Sequence, residues 1–167
     1  VTLVCVDVRD HNDQPVANPF DVSFDAEQFH ARVDDLPCRY LTDGDAHVLS
    51  RYAPNGFVQP TQVVIPEHVL DAGVLKTFGM TLIPTSFAAD LCIETRGALG
   101  EIIVNGASVG WNAGTGQSTC VPINYRDATT VTFGAVPGFR TPAPQTIPAW
   151  SLAQWGRRDV VGEYDVP

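Results

Sequence analysis

Apolar and polar residues alternate along most of the chain, and the period changes in only a few places. The opening VTLVCVDVRD sets Val4, Val6 and Val8 on one face and Leu3 and Cys5 on the other, the two-residue period of a strand. FDVSF (20–24) predicts a second, short strand after the turn-forming HNDQPVANP. In DAEQFHARVDDLP (25–37) the period shifts: Ala26, Phe29, Val33 and Leu36 recur at helical spacing, Asp25 suits the cap and Pro37 the stop. That stretch predicts a helix. Beyond it the pattern is again of strands: AHVLSRY, TQVVIP, LKTFGMTLIP, ADLCIET, GEIIVNG, STCVPINY and ATTVTFGAV. ADLCIET and GEIIVNG read as a hairpin across RGALG. One helical turn each is predicted at PEHVLDAG, before Gly73, and at AWSLAQWG, before Gly156.

About eight or nine short strands with regular turn signals predict a mainly β chain, an antiparallel β-sandwich or jelly roll with one or two short helices. Its length of 167 residues suits a single domain spanning 1–167. The proline-rich tail 137–167 cannot pair in the middle of a sheet and is expected to wrap the surface or run along an edge, stapled by Trp150 and Trp155. No internal repeat and no linker stand out in this reading.

Charge narrows the partners. A net charge of −9, with Lys76 the one lysine, repels phosphate backbones and disfavours nucleic acid. No apolar run approaches the ~18 residues of a membrane-spanning helix, so membrane insertion is not expected. The start at Val1, without methionine, fits either a processed chain or an arbitrary boundary. The four cysteines, Cys5, Cys38, Cys92 and Cys120, lack the close CxxC spacing from which zinc sites draw ligands. Disulfides fit them better, and three pairings are possible. Cys5–Cys38 and Cys92–Cys120 are favoured because each closes a local loop, and they would place the chain outside the cell or on a virion surface. Four buried thiols in a reducing compartment are the alternative.

The stretch LGEIIVNGASVGWNAGTGQSTCVPI is the most patterned. Asn105–Gly106 favours the left-handed backbone of a tight hairpin, and Gly110, Gly114 and Gly116 predict a sparse loop around Trp111. With TFGMTLIPTSFAADLCIETRGALGEIIVNGASVGW it resembles the galactose-binding-like β-sandwich, the accessory sandwich domain of many glycosidases, over about residues 75–135. Val104, Asn105, Gly106, Val109 and Gly110 carry the match. The resemblance implies a carbohydrate-binding role. Trp111, Asn105, Asn112 and Tyr125 are the candidate ligand contacts, with burial of Trp111 between sheets as the competing use.

Other chemistry is sparse. Asp7, Asp10 and Asp13, and the pair Asp43 and Asp45, are calcium candidates, though neither group has the spacing of a known calcium loop. No other cofactor is expected. His11, His30, His47 and His68 are scattered, no G-x-S-x-G elbow or nucleotide loop occurs, and Glu94 and Glu101 read as solvent-facing. A catalytic role is therefore not expected. The functions that follow are a non-catalytic extracellular recognition module, carbohydrate-binding or adhesive, or a structural subunit or protruding domain of a virus particle, phage tail or surface filament, with a small hydrolase ranked third. The partners are accordingly a glycan or another protein subunit, with homo-oligomerisation open.

Overall fold

A computed structural model describes residues 1–9, 20–25, 27–31, 37–70, 73–112 and 117–167. The chain divides into two compact units, Val1–Ile83 and Pro84–Pro167. The first holds β1 (Thr2–Arg9), β2 (Phe20–Phe24), β3 (Glu27–Ala31), β4 (Cys38–Leu41), β5 (His47–Tyr52), β6 (Val63–Ile65) and β7 (Lys76–Thr81). The second opens on a 3-10 turn, Thr85–Phe87. It continues with β8 (Ala88–Arg96), β9 (Gly100–Val104), β10 (Ala107–Asn112), β11 (Thr119–Asn124), β12 (Thr129–Phe133), β13 (Gln145–Ile147) and β14 (Arg157–Glu163).

Each unit pairs its strands in the same way. In the first, β3-β2-β5-β6 form an antiparallel sheet. The central β1 of the other layer has β4 antiparallel on one side and β7 parallel on the other. In the second, β10-β9-β12-β13 form the antiparallel sheet. There β8 takes the place of β1, with β11 antiparallel and β14 parallel. The fold is mainly β and sandwich-like, and each unit adds one parallel pair to the antiparallel pattern.

The correspondence reaches single residues. Cys5 is bonded to Cys38 and Cys92 to Cys120, each bridge joining the central strand to its antiparallel neighbour at directly paired positions. Leu82 N–H donates to the Arg9 carbonyl at 2.8 Å, and Tyr164 N–H to the Arg96 carbonyl at 2.8 Å. Asp25 (φ 49°) and Asn105 (φ 50°) make the same turn, and their side-chain oxygens accept from Val48 N–H at 2.8 Å and Thr130 N–H at 2.9 Å. Left-handed backbone recurs at Gly56 and Gly138, at His68 and Trp150, and at Gly73 and Trp155.

With the structure as guide, the repeat is visible in the sequence at a constant offset of 82 from Cys38/Cys120 to Leu82/Tyr164. It keeps Cys38/Cys120, Asp45/Asp127, Ala46/Ala128, Ala53/Ala135, Gly56/Gly138, Phe57/Phe139, Pro60/Pro142, Ile65/Ile147, Pro66/Pro148 and Leu70/Leu152. In the first strands VCVDVR of β1 matches LCIETR of β8, and both place an acid two residues before an arginine that binds it. The two units thus repeat one disulfide-stapled pattern of strand pairing. That finding replaces the expectation of no internal repeat.

Burial follows the alternation. In the first unit Val4, Val6, Val22, Leu49, Ile65 and Phe78 lose essentially all solvent contact. In the second, Leu91, Ile93, Ile102, Val131, Phe133 and Val160 lie in one core cluster. Tyr164 belongs to it too, and its hydroxyl donates to the Gly134 carbonyl at 2.6 Å. The tail is thus part of the fold: β13 lengthens one sheet and β14 the other.

Three expectations are corrected. The helix over 25–37 is not formed, because Glu27–Ala31 pair with β2 as strand β3, with Phe24 opposite Glu27. Of the proposed stripe, Ala26, Val33 and Leu36 lie outside the described residues. The helical turn expected at 149–156 is replaced by non-helical turns, the one expected at 66–73 is not formed over the described residues 66–70, and the 3-10 turn at Thr85–Phe87 is the helical element among the described residues. The β8–β9 hairpin is absent as well. Gly97 (φ 88°) turns the chain out of one sheet, and β9 pairs with β10 and β12 in the other.

Candidate functional site

The sequence candidates separate in space. Trp111 lies within β10, half-buried and opposite Glu101, rather than in a glycine-rich loop. Residues 113–116, with Gly114 and Gly116, fall outside the described residues, as do Asp10, His11 and Asp13. Asn112 is buried, and its amide Nδ2 donates to the Gln117 carbonyl at 2.7 Å and to Thr119 Oγ1 at 3.2 Å. Its Oδ1 accepts from Thr95 N–H at 3.2 Å. Asn112 therefore ties β10 to β8 and β11, and Asn105 spends its side chain on tying its turn to β12.

The calcium candidates are likewise engaged locally. Asp43 accepts from the Thr2 hydroxyl and the Val1 amine, and these bonds hold its carboxyl below the ordinary range. Asp45 accepts from Thr42 Oγ1 at 2.6 Å. Among the described residues no group of three or more His, Cys, Asp or Glu could hold a metal ion.

Tyr125 is different. Three segments meet at the end of the second unit where β8 begins, stitched backbone to backbone. Tyr125 N–H donates to the Phe87 carbonyl at 3.1 Å, Trp150 N–H to the Tyr125 carbonyl at 2.7 Å, and Trp155 N–H to the Ala88 carbonyl at 2.8 Å. Asn124 Oδ1 accepts from Arg126 N–H at 3.0 Å and shapes the turn that carries both Tyr125 and Arg126. The rings of Tyr125 and Trp150 meet edge to face, centroids 5.7 Å apart. The Arg126 guanidinium lies 4.3 Å from the Phe87 ring centroid and 5.7 Å from that of Trp150. Trp150 is 66% exposed and Trp155 56%. The result is an aromatic surface with one cation set in it.

Reading the sequence position by position assigned Tyr125 to ligand contact and the two tail tryptophans to stapling, and it missed Phe87 and Arg126. The repeat would have pointed to this end of the unit. At the matching positions of the first unit, Tyr125, Arg126, Trp150 and Trp155 are replaced by Asp43, Gly44, His68 and Gly73.

One titratable pair stands out in the first unit. His47 Nδ1 lies 2.5 Å from Asp25 Oδ2 and Nε2 lies 2.8 Å from the Thr42 carbonyl, so both ring nitrogens face acceptors. Burial alone would lower the His47 pKa, but these hydrogen bonds and the Asp25 charge outweigh it and raise it.

No family model matches the chain, and no curated protein matches its sequence. Among solved structures it is similar to the Bacillus anthracis TIE protein, at 12% identity and a TM-score of 0.40, covering 98% of this chain and 34% of that one. It thus spans about a third of the length of that relative. The shaft pilin spaA from Lactobacillus rhamnosus GG is 9% identical with a TM-score of 0.42, covering 99% of this chain and 98% of the pilin. A streptococcal ancillary pilin is 13% identical with a TM-score of 0.29, covering 99% of this chain and 62% of that one. None of the three is a galactose-binding-like domain. At such identities and scores, function has to be read from the chain's own residues.

Proposed function

We propose that the chain is a non-catalytic structural segment of an extracellular surface protein or filament, built from two tandem disulfide-stapled sandwiches. The observation that carries this reading is the parallel pairing of the first and last strands of each unit, β1 with β7 and β8 with β14. Parallel neighbours start at the same end, so the chain enters each unit at one end and leaves it at the other.

The disulfides fit an oxidising exterior. They also stabilise units of about 84 residues, a size at which a single core is marginal. The net charge of −9 favours solubility and works against nucleic acid. A shaft role is the one named for the Lactobacillus rhamnosus GG pilin to which the chain is similar; the support for it here lies in strand direction and cross-linking. A glycan contact at Trp111 has less support, since Asn105 and Asn112 use their amides within the fold.

The test is localisation with thiol counting. Antibodies to the chain should label intact, unpermeabilised cells or particles of the source, and the native protein should alkylate at no cysteine. Labelling that requires permeabilisation, or four reactive thiols in the native protein, would overturn the reading.

A further inference from the structure

We infer that the aromatic surface of the second unit, formed by Tyr125, Arg126, Trp150, Trp155 and Phe87, is a binding site for an acidic glycan, a pyranose bearing a carboxylate. The first support is the placing of the two tryptophans. Trp150 and Trp155 both have φ near 60°, a conformation that a bulky residue adopts at a cost; His68 and Gly73 share it in the first unit, so the backbone belongs to the fold and the indoles are what the second unit adds. The first unit places Gly73 at the position of Trp155, so the fold itself has no need of an indole there. Both rings are more than half exposed, so core packing does not account for them either.

The second support is the difference between the units. The first unit has Asp43, Gly44, His68 and Gly73 at the matching positions, so the aromatic and cationic side chains belong to the second unit.

The ligand class follows from shape and charge. The rings project from turns at the end of a sandwich, so they offer neither the sheet edge nor the groove that peptide recognition uses. A pyranose presents a flat C–H face that stacks on an exposed indole. Arg126 is exposed, stacks on Phe87 and forms no ion pair among the described residues, so it is placed to receive a carboxylate beside that stack.

The experiment titrates the full chain with trigalacturonate, its uncharged methyl ester and a proline-rich decapeptide, followed by tryptophan fluorescence and calorimetry. Trigalacturonate should bind saturably. Trp150→Gly should weaken binding at least about tenfold, a loss of ~1.4 kcal/mol. Arg126→Ala should reduce binding of the acid to that of the ester, and Trp111→Phe should leave both unchanged. Glycine suits a left-handed position, so Trp155→Gly should unfold at higher urea than Trp155→Ala, and loss of binding in the glycine variants is then not loss of fold. No saturable response to either sugar, a response unaltered in Trp150→Gly, or saturable binding of the peptide in place of the sugar would overturn the assignment.

Discussion

Removing one disulfide at a time measures the same perturbation twice in one molecule. Cys92–Cys120 spans 28 residues and Cys5–Cys38 spans 33. The chain-entropy relation gives ~3.6 kcal/mol for the first loop and ~3.7 kcal/mol for the second at 25 °C. The paired variants Cys92→Ala/Cys120→Ala and Cys5→Ala/Cys38→Ala should therefore lose nearly equal stability. For units of 83 and 84 residues, each kcal/mol corresponds to ~4–8 °C, so the affected transition should fall by ~14–29 °C. Calorimetry and urea unfolding read both quantities, and the m-value shows whether the unfolded ensemble has expanded. A loss below ~1 kcal/mol in either variant would refute the reasoning, because the unfolded chain would then be restrained without the bridge. Losses differing by more than ~1 kcal/mol would refute the equivalence of the two bridges.

Two further outcomes are specific. A Cβ at Gly162 would lie 2.4 Å from one atom of the buried Phe133 ring and 2.5 Å from the next, so Gly162→Ala should cost ~1–3 kcal/mol in urea unfolding. Phe133→Leu should recover part of that cost in a double-mutant cycle, and strict additivity would show that the ring is not the obstacle. For His47 the raised pKa fixes the sign: the pair with Asp25 contributes fully below the unfolded value of ~6.5 and is lost as pH rises through the higher folded value. Stability against urea should thus fall from pH 6 upward in the native protein and fall less in Asp25→Asn; parallel profiles would dismiss the pair.

Local pattern was enough to place most strands, because residues such as Phe78, Val131 and Phe133 alternate with polar or small neighbours and are buried. The disulfide pairing was also legible, from loop lengths alone. The stretch at 25–37 was not, since Ala26, Phe29, Val33 and Leu36 satisfy a helical period. What decides it is the turn at Asp25, whose carboxylate accepts from Val48 N–H on β5, a partner 23 residues away. The β8–β9 connection failed for a related reason: a short glycine-containing loop serves a hairpin or a change of sheet, and only tertiary pairing chooses. The repeat escaped notice because its register is not constant. Cys5 matches Cys92 at an offset of 87, Asp25 matches Asn105 at 80, and the later strands settle at 82. Without that register, the tail tryptophans read as staples and Arg126 as an ordinary surface charge.

The side-by-side, same-direction placement of β1 and β7 also has a mechanical consequence. Tension on the two ends of the unit draws these strands in opposite directions along their shared ladder. The pairings from Val4–Lys76 to Arg9–Thr81 are then sheared together instead of being unzipped one by one. The Cys5–Cys38 bridge, on the other flank of β1, removes 33 of the unit's 83 residues from the length that can pay out. After rupture the oxidised unit can reach only about 170 Å of extended chain, against about 280 Å when reduced. With 28 of 84 residues locked, the second unit reaches about 190 Å. A thread made of such units would yield abruptly, in two short steps of similar size, and its slack would be set by the redox state of its surroundings.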